Sequence, residues 1–498
     1  MSKKKCIIIG SGLGGLTTGV ILARNGYDVT VVEQHYQIGG CLQCFSRKGA
    51  KFETGMHFIG SALPGQTLHQ LLRFFNLQDL KLSMLDPSGY DIVSLAGEKF
   101  RFANGRAPFI EQMAQYFPKE KDNLVKYYDI IESIARDSAL HSLNFPDKDI
   151  ALNTQYHTTS INEVLDSVFT DNLLKDVLVG NLPLYAAEKD KTPFASHAFI
   201  MNFYNQSAFR VVGGSDHIAR SLADTIKSHG GKIRVNSKAT KIVCNDTRAV
   251  GVEINNDEFL EADVVIADIH PSRVMDMLDT KMIRPAFRNR INSIRNTAAG
   301  FSVFLKFKEG KTPYLNSNFY SYSQPTPWGC ENYTDLSWPK GYLYMHFCNE
   351  DNPQFASSGV ILSYMNIDDV ALWQGTHVGR RGDDYEEFKR RKAETLINNV
   401  EKDFPGLRDS IESYYTATPL TYVDYTGTKD GSMYGVAKDI TLGAAGRVPH
   451  RTKVPNLLLT GQNINSHGML GVIVGTIVTC SELLSAQTVY QQIIDANK

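Results

Sequence analysis

The sequence predicts an α/β fold that begins with a strand–helix–strand unit. Residues 6–9 form an apolar run with the length and branching of a buried parallel strand, and a Gly-x-Gly-x-x-Gly turn begins directly after it at Gly10. An apolar-periodic helix follows, and a second predicted strand over residues 29–32 ends on Glu33. Strand, glycine turn, helix, strand and acid in this order are typical of a dinucleotide-binding unit.

Each part of this unit has a physical role. Glycines allow a tight turn, a close approach of backbone to a pyrophosphate, and close packing of helix on strand. The helix N-terminus offers free N–H groups and a partial positive charge to phosphates, and Glu33 is placed to accept hydrogen bonds from a ribose hydroxyl. The predicted contacts in this unit are Gly10, Gly12, Leu13, Gly14, Gly15, Glu33 and Gln34.

Length and composition limit the class of protein. At 498 residues the chain exceeds one ordinary core, so we expect two domains. The formal net charge of −1 argues against a nucleic-acid partner, because such binding requires a basic face. The seven scattered cysteines are typical of a reducing compartment, and no metal site is predicted.

The chain start and the apolar runs predict a cytoplasmic protein. Met1 lies only a few residues before the first strand, which leaves no room for a signal peptide. The longest strongly apolar run, residues 470–480, is about half the length that spans a bilayer.

A glycine doublet, Gly39-Gly40, follows the first unit, and Cys41 and Cys44 come directly after it as Cys-x-x-Cys. The doublet either brings backbone close to a bulky ligand or forms a plain turn. A Cys-x-x-Cys beside a flavin is a candidate redox dithiol. However, flavin disulfide reductases carry a second dinucleotide fingerprint, which this sequence lacks, and cysteine is also a common buried residue.

Residues 52–60, FETGMHFIG, alternate apolar and small side chains. Gly55 and Gly60 indicate backbone held close to a ligand. His57 is a candidate proton donor, although a lone histidine among apolar neighbours is more often a core residue.

These motifs, in this order, resemble the FAD-binding half of the phytoene desaturase, carotenoid isomerase and retinol saturase family of FAD-dependent oxidoreductases. The Gly-Gly-Cys start and the TGMHFIG stretch are most similar to the retinol saturase branch, the all-trans-retinol 13,14-reductases. Most desaturase members and the related amine oxidases have Arg after the glycine doublet, where this chain has Cys41. One expected pyrophosphate contact is therefore missing.

The resemblance implies a Rossmann-type FAD-binding domain interleaved with an α+β substrate domain, the glutathione-reductase-2 or amine-oxidase-like architecture. The FAD-binding domain would comprise residues 1–65, 206–297 and 422–498, and the substrate-binding domain residues 66–205 and 298–421. Residues 66–205 are poor in glycine and carry amphipathic patterns, so we expect a helical insertion there. The resemblance implies that this insertion caps the flavin and helps form an apolar tunnel.

The C-terminal region is predicted to hold the flavin end of the cofactor. A buried strand over residues 456–462 precedes a nearly all-apolar helix over residues 470–484. In flavin enzymes of this type the helix N-terminus stabilises negative charge on the reduced flavin, which favours FAD over NAD as the bound cofactor. The further contacts implied by the resemblance are Gly39, Gly40, Cys41, Gly55, Met56, His57, Ala239, Thr240, Gly461, Gln462, Gly468, Leu470, Gly471 and Val472.

The implied activity is an FAD-dependent oxidoreductase acting on double bonds of an apolar conjugated isoprenoid, with saturation as the leading reaction and His57 and Tyr434 as candidate acids. Carotenoid desaturation or isomerisation is the first alternative, flavin amine oxidation another, and a non-catalytic flavin-bearing lipid carrier belongs to a different class. Glu33 disfavours a phosphorylated ribose in the bound site, because two anions would meet there. Because the sequence carries no second dinucleotide fingerprint, we expect any NAD(P)H to bind transiently, or another donor to supply electrons.

Apolar polyenes partition into bilayers, so an enzyme without a spanning helix has to extract them from the surface. We expect a peripheral membrane contact made by the insertion at residues 66–205, through an apolar face larger than a normal surface patch. The exact substrate and the oligomeric state are left open by the sequence.

Overall fold

The computed structural model describes residues 3–143 and 154–498, and a five-stranded parallel sheet carries the N-terminal unit. In spatial order its strands are Lys232–Arg234, Asp28–Val32, Lys5–Ile9, Val264–Ala267 and Leu457–Leu459. Residues Cys6 to Ile9 of the central strand are buried, which is why they form a continuous apolar run.

Three helices pack around this sheet: Leu13–Arg24, Asp216–Ser228 and Gly468–Leu484. The first and third of them lie against each other, with Thr17 Oγ1 and Thr476 Oγ1 3.0 Å apart. The C-terminal helix thus packs directly on the helix that follows the glycine turn, so the two predicted ends of the cofactor site belong to one layer.

A seven-stranded mixed sheet forms the second half of the molecule. In spatial order its strands are Ile411–Ala417, Gly300–Phe307, Asn352–Tyr364, Gly341–Asn349, Asn318–Tyr322, Asp91–Leu95 and Glu98–Phe102. Helix Asp383–Asp403 packs on one face. The lobe, our name for the helices of segment 66–205, packs on the other. The neighbours Phe319 and Tyr320 accordingly belong to different cores, as the alternation along a strand requires.

The structure corrects the prediction of a wholly helical insertion. Its described part contains strands Leu82–Met84, Asp91–Leu95 and Glu98–Phe102, of which the last two belong to the mixed sheet. Asp91 pairs with Asn318, which is remote in sequence, so the periodicity near residue 91 carried no sign of the partner. The helices of the lobe are Thr67–Phe74, Arg106–Tyr116, Lys121–Asp137, Ala139–Ser142, Ile161–Val168, Asn172–Leu178 and Phe194–Gln206.

Smaller elements complete the described fold. The strands are Cys44–Arg47, Ala50–Glu53, Ile59–Gly60, Ala208–Val211, Ala239–Cys244, Ala249–Ile254 and Glu258–Glu261. The helices are Pro271–Asp276, Pro285–Ser293, Leu407–Ser410, Pro419–Thr426 and Ala486–Asp495. All strands of the parallel sheet come from the segments predicted to bind FAD, and all strands of the mixed sheet come from the segments predicted to bind substrate.

The described surface bears on the expected membrane contact. Among residues 3–143 and 154–498, no helix combines the length and the apolar character needed to cross a bilayer. Within the described part of the insertion, Tyr116 is the one large apolar side chain that is exposed. Leu336 and Leu372, in the segment 298–421, are 99% and 88% exposed. The membrane contact expected of the insertion stays a prediction.

Candidate functional site

A cavity of about 810 Å³ lies between the parallel sheet and the mixed sheet. Most of the predicted site residues line it: Gly10, Gly12, Leu13, Gly14, Glu33, Gln34, Gly39, Gly40, Cys41, Gly55, Met56, His57, Ala239, Thr240, Tyr434, Gln462, Gly468 and Val472. The predicted residues that lie behind its wall are Gly15, Gly461, Leu470 and Gly471. Residues more than 400 positions apart in the chain thus meet at one cavity.

The glycine turn leaves no room for side chains. Gly10 has a φ of +98°, and a Cβ added there would come 2.6 Å from the carbonyl oxygen of Asp268. The doublet Gly39-Gly40 packs on the same turn, because a Cβ on Gly40 would lie 3.2 Å from the Cα of Gly12. Bare backbone at the N-terminus of helix Leu13–Arg24 is the arrangement that a pyrophosphate requires.

Asp268 is the residue of this site that the sequence reasoning missed. Its Oδ2 accepts a hydrogen bond of 2.7 Å from the backbone N–H of Gly15. Burial raises the pKa of Asp268 from 3.8 to about 7, with the Gly15 hydrogen bond opposing the shift and the charge of Glu33 adding to it. Asp268 directly follows the buried strand Val264–Ala267, and polar residues at the carboxyl ends of parallel strands border the ligand crevice. The position of Asp268 at the end of this strand could have identified it as a site residue from the sequence.

The carboxylate of Glu33 is buried at the end of the second strand and fixed by its neighbours. One oxygen accepts from the backbone N–H of Ser11 at 3.0 Å and from its hydroxyl at 2.6 Å. The other accepts from the backbone N–H of His35 at 2.9 Å. Glu33 is therefore tied to the glycine turn itself, and its role as a ribose acceptor stays a prediction.

The environments of Cys41 and Cys44 oppose the dithiol interpretation. Both thiols are free, and burial raises the pKa of each to about 11. Cys44 Sγ lies 3.5 Å from Ser215 Oγ, against the helix Asp216–Ser228. Reactive dithiols need a lowered thiol pKa, so these two residues have the character of packing residues.

Of the two candidate acids, Tyr434 already has a partner for its proton. Its hydroxyl donates a hydrogen bond of 2.8 Å to the carbonyl oxygen of Pro183, and burial raises its pKa. The ring lies 4.5 Å from the ring of His467, centroid to centroid. Burial, assisted by the charge of Lys438, lowers the pKa of His467 to about 4, so this imidazole is neutral at ordinary pH.

The other candidate, His57, has a free ring nitrogen beside a carboxylate. Its Nδ1 is buried without a hydrogen-bond partner and lies 3.7 Å from Glu53 Oε2, which is likewise buried and unpartnered. The backbone carbonyl of His57 accepts from the Arg210 guanidinium at 3.1 Å. His57 is thus the better placed of the two candidates to exchange a proton with a ligand in the cavity.

The C-terminal helix reaches the cavity with its first turn. It begins at Gly468, two residues earlier than predicted, and an added Cβ on Gly468 would meet no atom within 4 Å. Gly471 instead faces back along the chain, where an added Cβ would lie 2.6 Å from the Cβ of Ser466. The close approach of a flavin ring to Gly471 stays a prediction, and a side chain at this position would meet Ser466.

The residues that line the cavity fit FAD. The glycine turn, Glu33, Ala239, Thr240 and the helix N-terminus at Gly468 all line it. These features match an elongated dinucleotide with a flavin at its far end.

Comparison with known proteins decides the family. The profile of the family described as flavin containing amine oxidoreductase matches residues 13–474. The chain belongs to this family. As a member of the flavin containing amine oxidoreductases it is an FAD-dependent oxidoreductase, and the predicted cofactor and amine-oxidase-like architecture are confirmed.

Individual proteins also resemble this chain. All-trans-retinol 13,14-reductase of Rattus norvegicus is 27% identical, with 99% of this chain and 87% of the rat protein covered. Prolycopene isomerase 1, chloroplastic, of an Oncidium hybrid cultivar is 23% identical, with 92% of this chain and 79% of the relative covered. The structure of an oxidoreductase from Methanosarcina mazei has a TM-score of 0.63 at 15% identity, over 96% of this chain and all of that one (100%). The predicted resemblance to the retinol saturase and carotenoid isomerase branch is confirmed.

Proposed function

We propose that this flavin containing amine oxidoreductase saturates a carbon–carbon double bond of an apolar, conjugated isoprenoid such as a retinoid. The observation that carries the proposal is the composition of the cavity wall away from the glycine turn. There the wall is apolar and aromatic, formed by Phe58, Leu184, Tyr204, Leu343, Leu362 and Met433. Such a wall suits a conjugated hydrocarbon.

Similarity to all-trans-retinol 13,14-reductase over 99% of the chain supports the same substrate class. Saturation adds a hydride to one carbon and a proton to the next, and FAD, when bound and reduced, supplies the hydride. The protein has to bind the polyene in the apolar part of the cavity, exclude water, and deliver the proton. His57 is the proposed proton donor, because its ring borders the cavity and Tyr434 is hydrogen-bonded to Pro183.

The proposed electron source is a transiently bound NAD(P)H or another external donor. Bound FAD would occupy the dinucleotide site formed by the glycine turn, so a second dinucleotide could not bind there. The Glu33 carboxylate in this site also disfavours a phosphorylated ribose, because two anions would meet. Anaerobic mixing of the FAD-loaded enzyme with NADH, NADPH or dithionite distinguishes these donors by the rate of flavin bleaching.

Isomerisation of a polyene is the second candidate, favoured by the similarity to prolycopene isomerase 1. The two reactions differ in their electron balance: saturation consumes two electrons, and isomerisation returns them. Anaerobic stopped-flow separates them. We expect reduced enzyme mixed with all-trans-retinol to regain the oxidised flavin spectrum and form one equivalent of a dihydro product.

Recovery of an isomerised polyene with the flavin still reduced would establish isomerisation instead. Oxidised enzyme that becomes reduced on mixing with the polyene would establish desaturation. No spectral change with retinoids or carotenoids, but reduction by a primary amine, would contradict the proposal and identify amine oxidation.

We also propose a peripheral membrane contact through which the apolar substrate enters. The apolar cavity and the exposed Leu336 and Leu372 support it, since both suit a molecule that resides in a bilayer.

A further inference from the structure

Glu53 and His57 form a buried pair that neither the family comparison nor the sequence motifs describe. The two side chains are 7% and 11% exposed, and Glu53 Oε2 lies 3.7 Å from His57 Nδ1. Neither atom has another hydrogen-bond partner among the described residues. Two buried polar atoms without partners are costly unless they serve each other, directly or through one proton or water.

The other oxygen of Glu53 explains why the carboxylate stays in place. Its Oε1 accepts a hydrogen bond of 2.9 Å from the backbone N–H of Ser215, the residue that precedes helix Asp216–Ser228. That helix packs on the parallel sheet, so the carboxylate is anchored to the cofactor-binding half of the molecule. His57 is held from the other side through the bond from Arg210 to its backbone carbonyl.

From this geometry we infer that Glu53 is a positioning residue, which holds His57 with a proton on Nδ1 and leaves Nε2 to deliver a proton into the cavity. A carboxylate accepts hydrogen bonds only, so the ring nitrogen that faces it carries the hydrogen. Nε2 lies on the opposite edge of the ring and is the nitrogen left to serve the cavity that His57 lines.

This inference rests on the proposed saturation reaction. After one carbon of the double bond has received a hydride, with reduced FAD as the two-electron donor, the Nε2–H bond of the imidazolium breaks and a C–H bond forms on the neighbouring carbon. The ring becomes neutral and keeps its remaining proton on Nδ1, facing Glu53. Water then returns a proton to Nε2.

The deciding variant is Glu53→Gln, because it changes one oxygen only. Its amide oxygen keeps the bond from Ser215, while its NH₂ group replaces Oε2 and presents hydrogens to Nδ1. We expect ¹⁵N NMR of the imidazoles to show the neutral His57 of the wild type protonated on Nδ1, and that of the variant protonated on Nε2. His57→Gln assigns the resonance by deleting it.

The matched control is Glu120→Gln, which neutralises another buried carboxylate that accepts backbone N–H bonds, at Thr170 and Asp171. It should leave the His57 tautomer unchanged. With reduced, FAD-loaded protein and all-trans-retinol, Glu53→Gln should slow flavin reoxidation at least tenfold at unchanged FAD content, and Glu120→Gln should not.

A wild-type His57 protonated on Nε2 would overturn the inference, whether or not Glu53→Gln folds. A switched tautomer with an unchanged reoxidation rate would also overturn the positioning role. If wild-type enzyme is not reoxidised by any retinoid or carotenoid, the proposed function fails, while the tautomer comparison still decides the Glu53–His57 pairing.

Discussion

The carboxylate of Asp268 accepts a hydrogen bond of 2.7 Å from the backbone N–H of Gly15. The end of strand Val264–Ala267 is thereby joined to the N-terminus of helix Leu13–Arg24, two elements that lie about half the chain apart. An anionic side chain consequently occupies the neighbourhood in which the glycine turn is predicted to hold the two phosphates of FAD.

The first prediction follows from the pKa of Asp268. Above pH 7 its ionised carboxylate repels the phosphates, and below it the protonated form does not, so FAD affinity should fall as pH rises from 6 to 8. Removing one like charge about 4 Å from another is worth on the order of 1–4 kcal/mol, so we expect roughly a tenfold change in FAD affinity. Fluorescence titration of apoprotein with FAD at several pH values measures it.

Asp268→Asn should abolish this pH dependence, whereas Asp276→Asn, at the exposed rim of the cavity, should keep it. A pH-independent affinity in the wild type would contradict the placement of the phosphates.

The raised pKa of Asp268 also affects the stability of the fold. The folded state binds this proton more tightly than the unfolded state, so its contribution to the free energy of unfolding is lost as pH rises from 3.8 through about 7.

The second prediction concerns Glu33. Glu33→Arg removes the carboxylate that accepts from Ser11 and His35 and places a cation where a ribose acceptor is predicted. Each lost charge-assisted hydrogen bond costs roughly 1.5–3 kcal/mol, so FAD content after purification should fall at least tenfold. Tyr36→Arg adds the same cation at a side chain that is 70% exposed and does not line the cavity, and it should retain FAD. Equal flavin content in both variants would refute the ribose assignment.

The third prediction concerns Gly471. Gly471→Ala places a methyl group 2.6 Å from the Cβ of Ser466, and overpacking of this kind lowers the free energy of unfolding by roughly 1–3 kcal/mol. The pair Gly471→Ala and Ser466→Gly should recover most of that loss, because the clashing atom is absent. Chemical denaturation of the three variants measures it, and purely additive losses would show that the strain arises elsewhere.

The fourth prediction concerns Cys41 and Cys44. Since burial raises both thiol pKa values to about 11, the variant with both residues changed to Ser should keep flavin-dependent turnover within about threefold of wild type. The measurement is the anaerobic single-turnover rate, with far-UV circular dichroism and FAD content as controls. Complete loss of turnover in folded, flavin-loaded protein would revive the dithiol interpretation.

The fifth prediction concerns membranes. Replacing both Leu336 and Leu372 by Gln should reduce co-sedimentation with phosphatidylcholine vesicles, because both side chains are exposed and would enter the interface. Tyr116→Gln, in the described insertion, is the matched control and should bind like the wild type. A loss confined to Tyr116→Gln would return the contact to the insertion.

The sequence by itself determined the nucleotide-binding unit, since strand, glycine turn, helix and Glu33 are contiguous and their periodicity is local. It also determined the family, which a fingerprint and a doublet in fixed order identify. Only the tertiary structure decided that Asp268 closes on Gly15, that Glu53 faces His57, that residues 91–95 join a sheet beside Asn318, and that Gly471 faces Ser466. Each of these depends on chain direction after a turn or on a partner remote in sequence, and residue spacing carries neither kind of information.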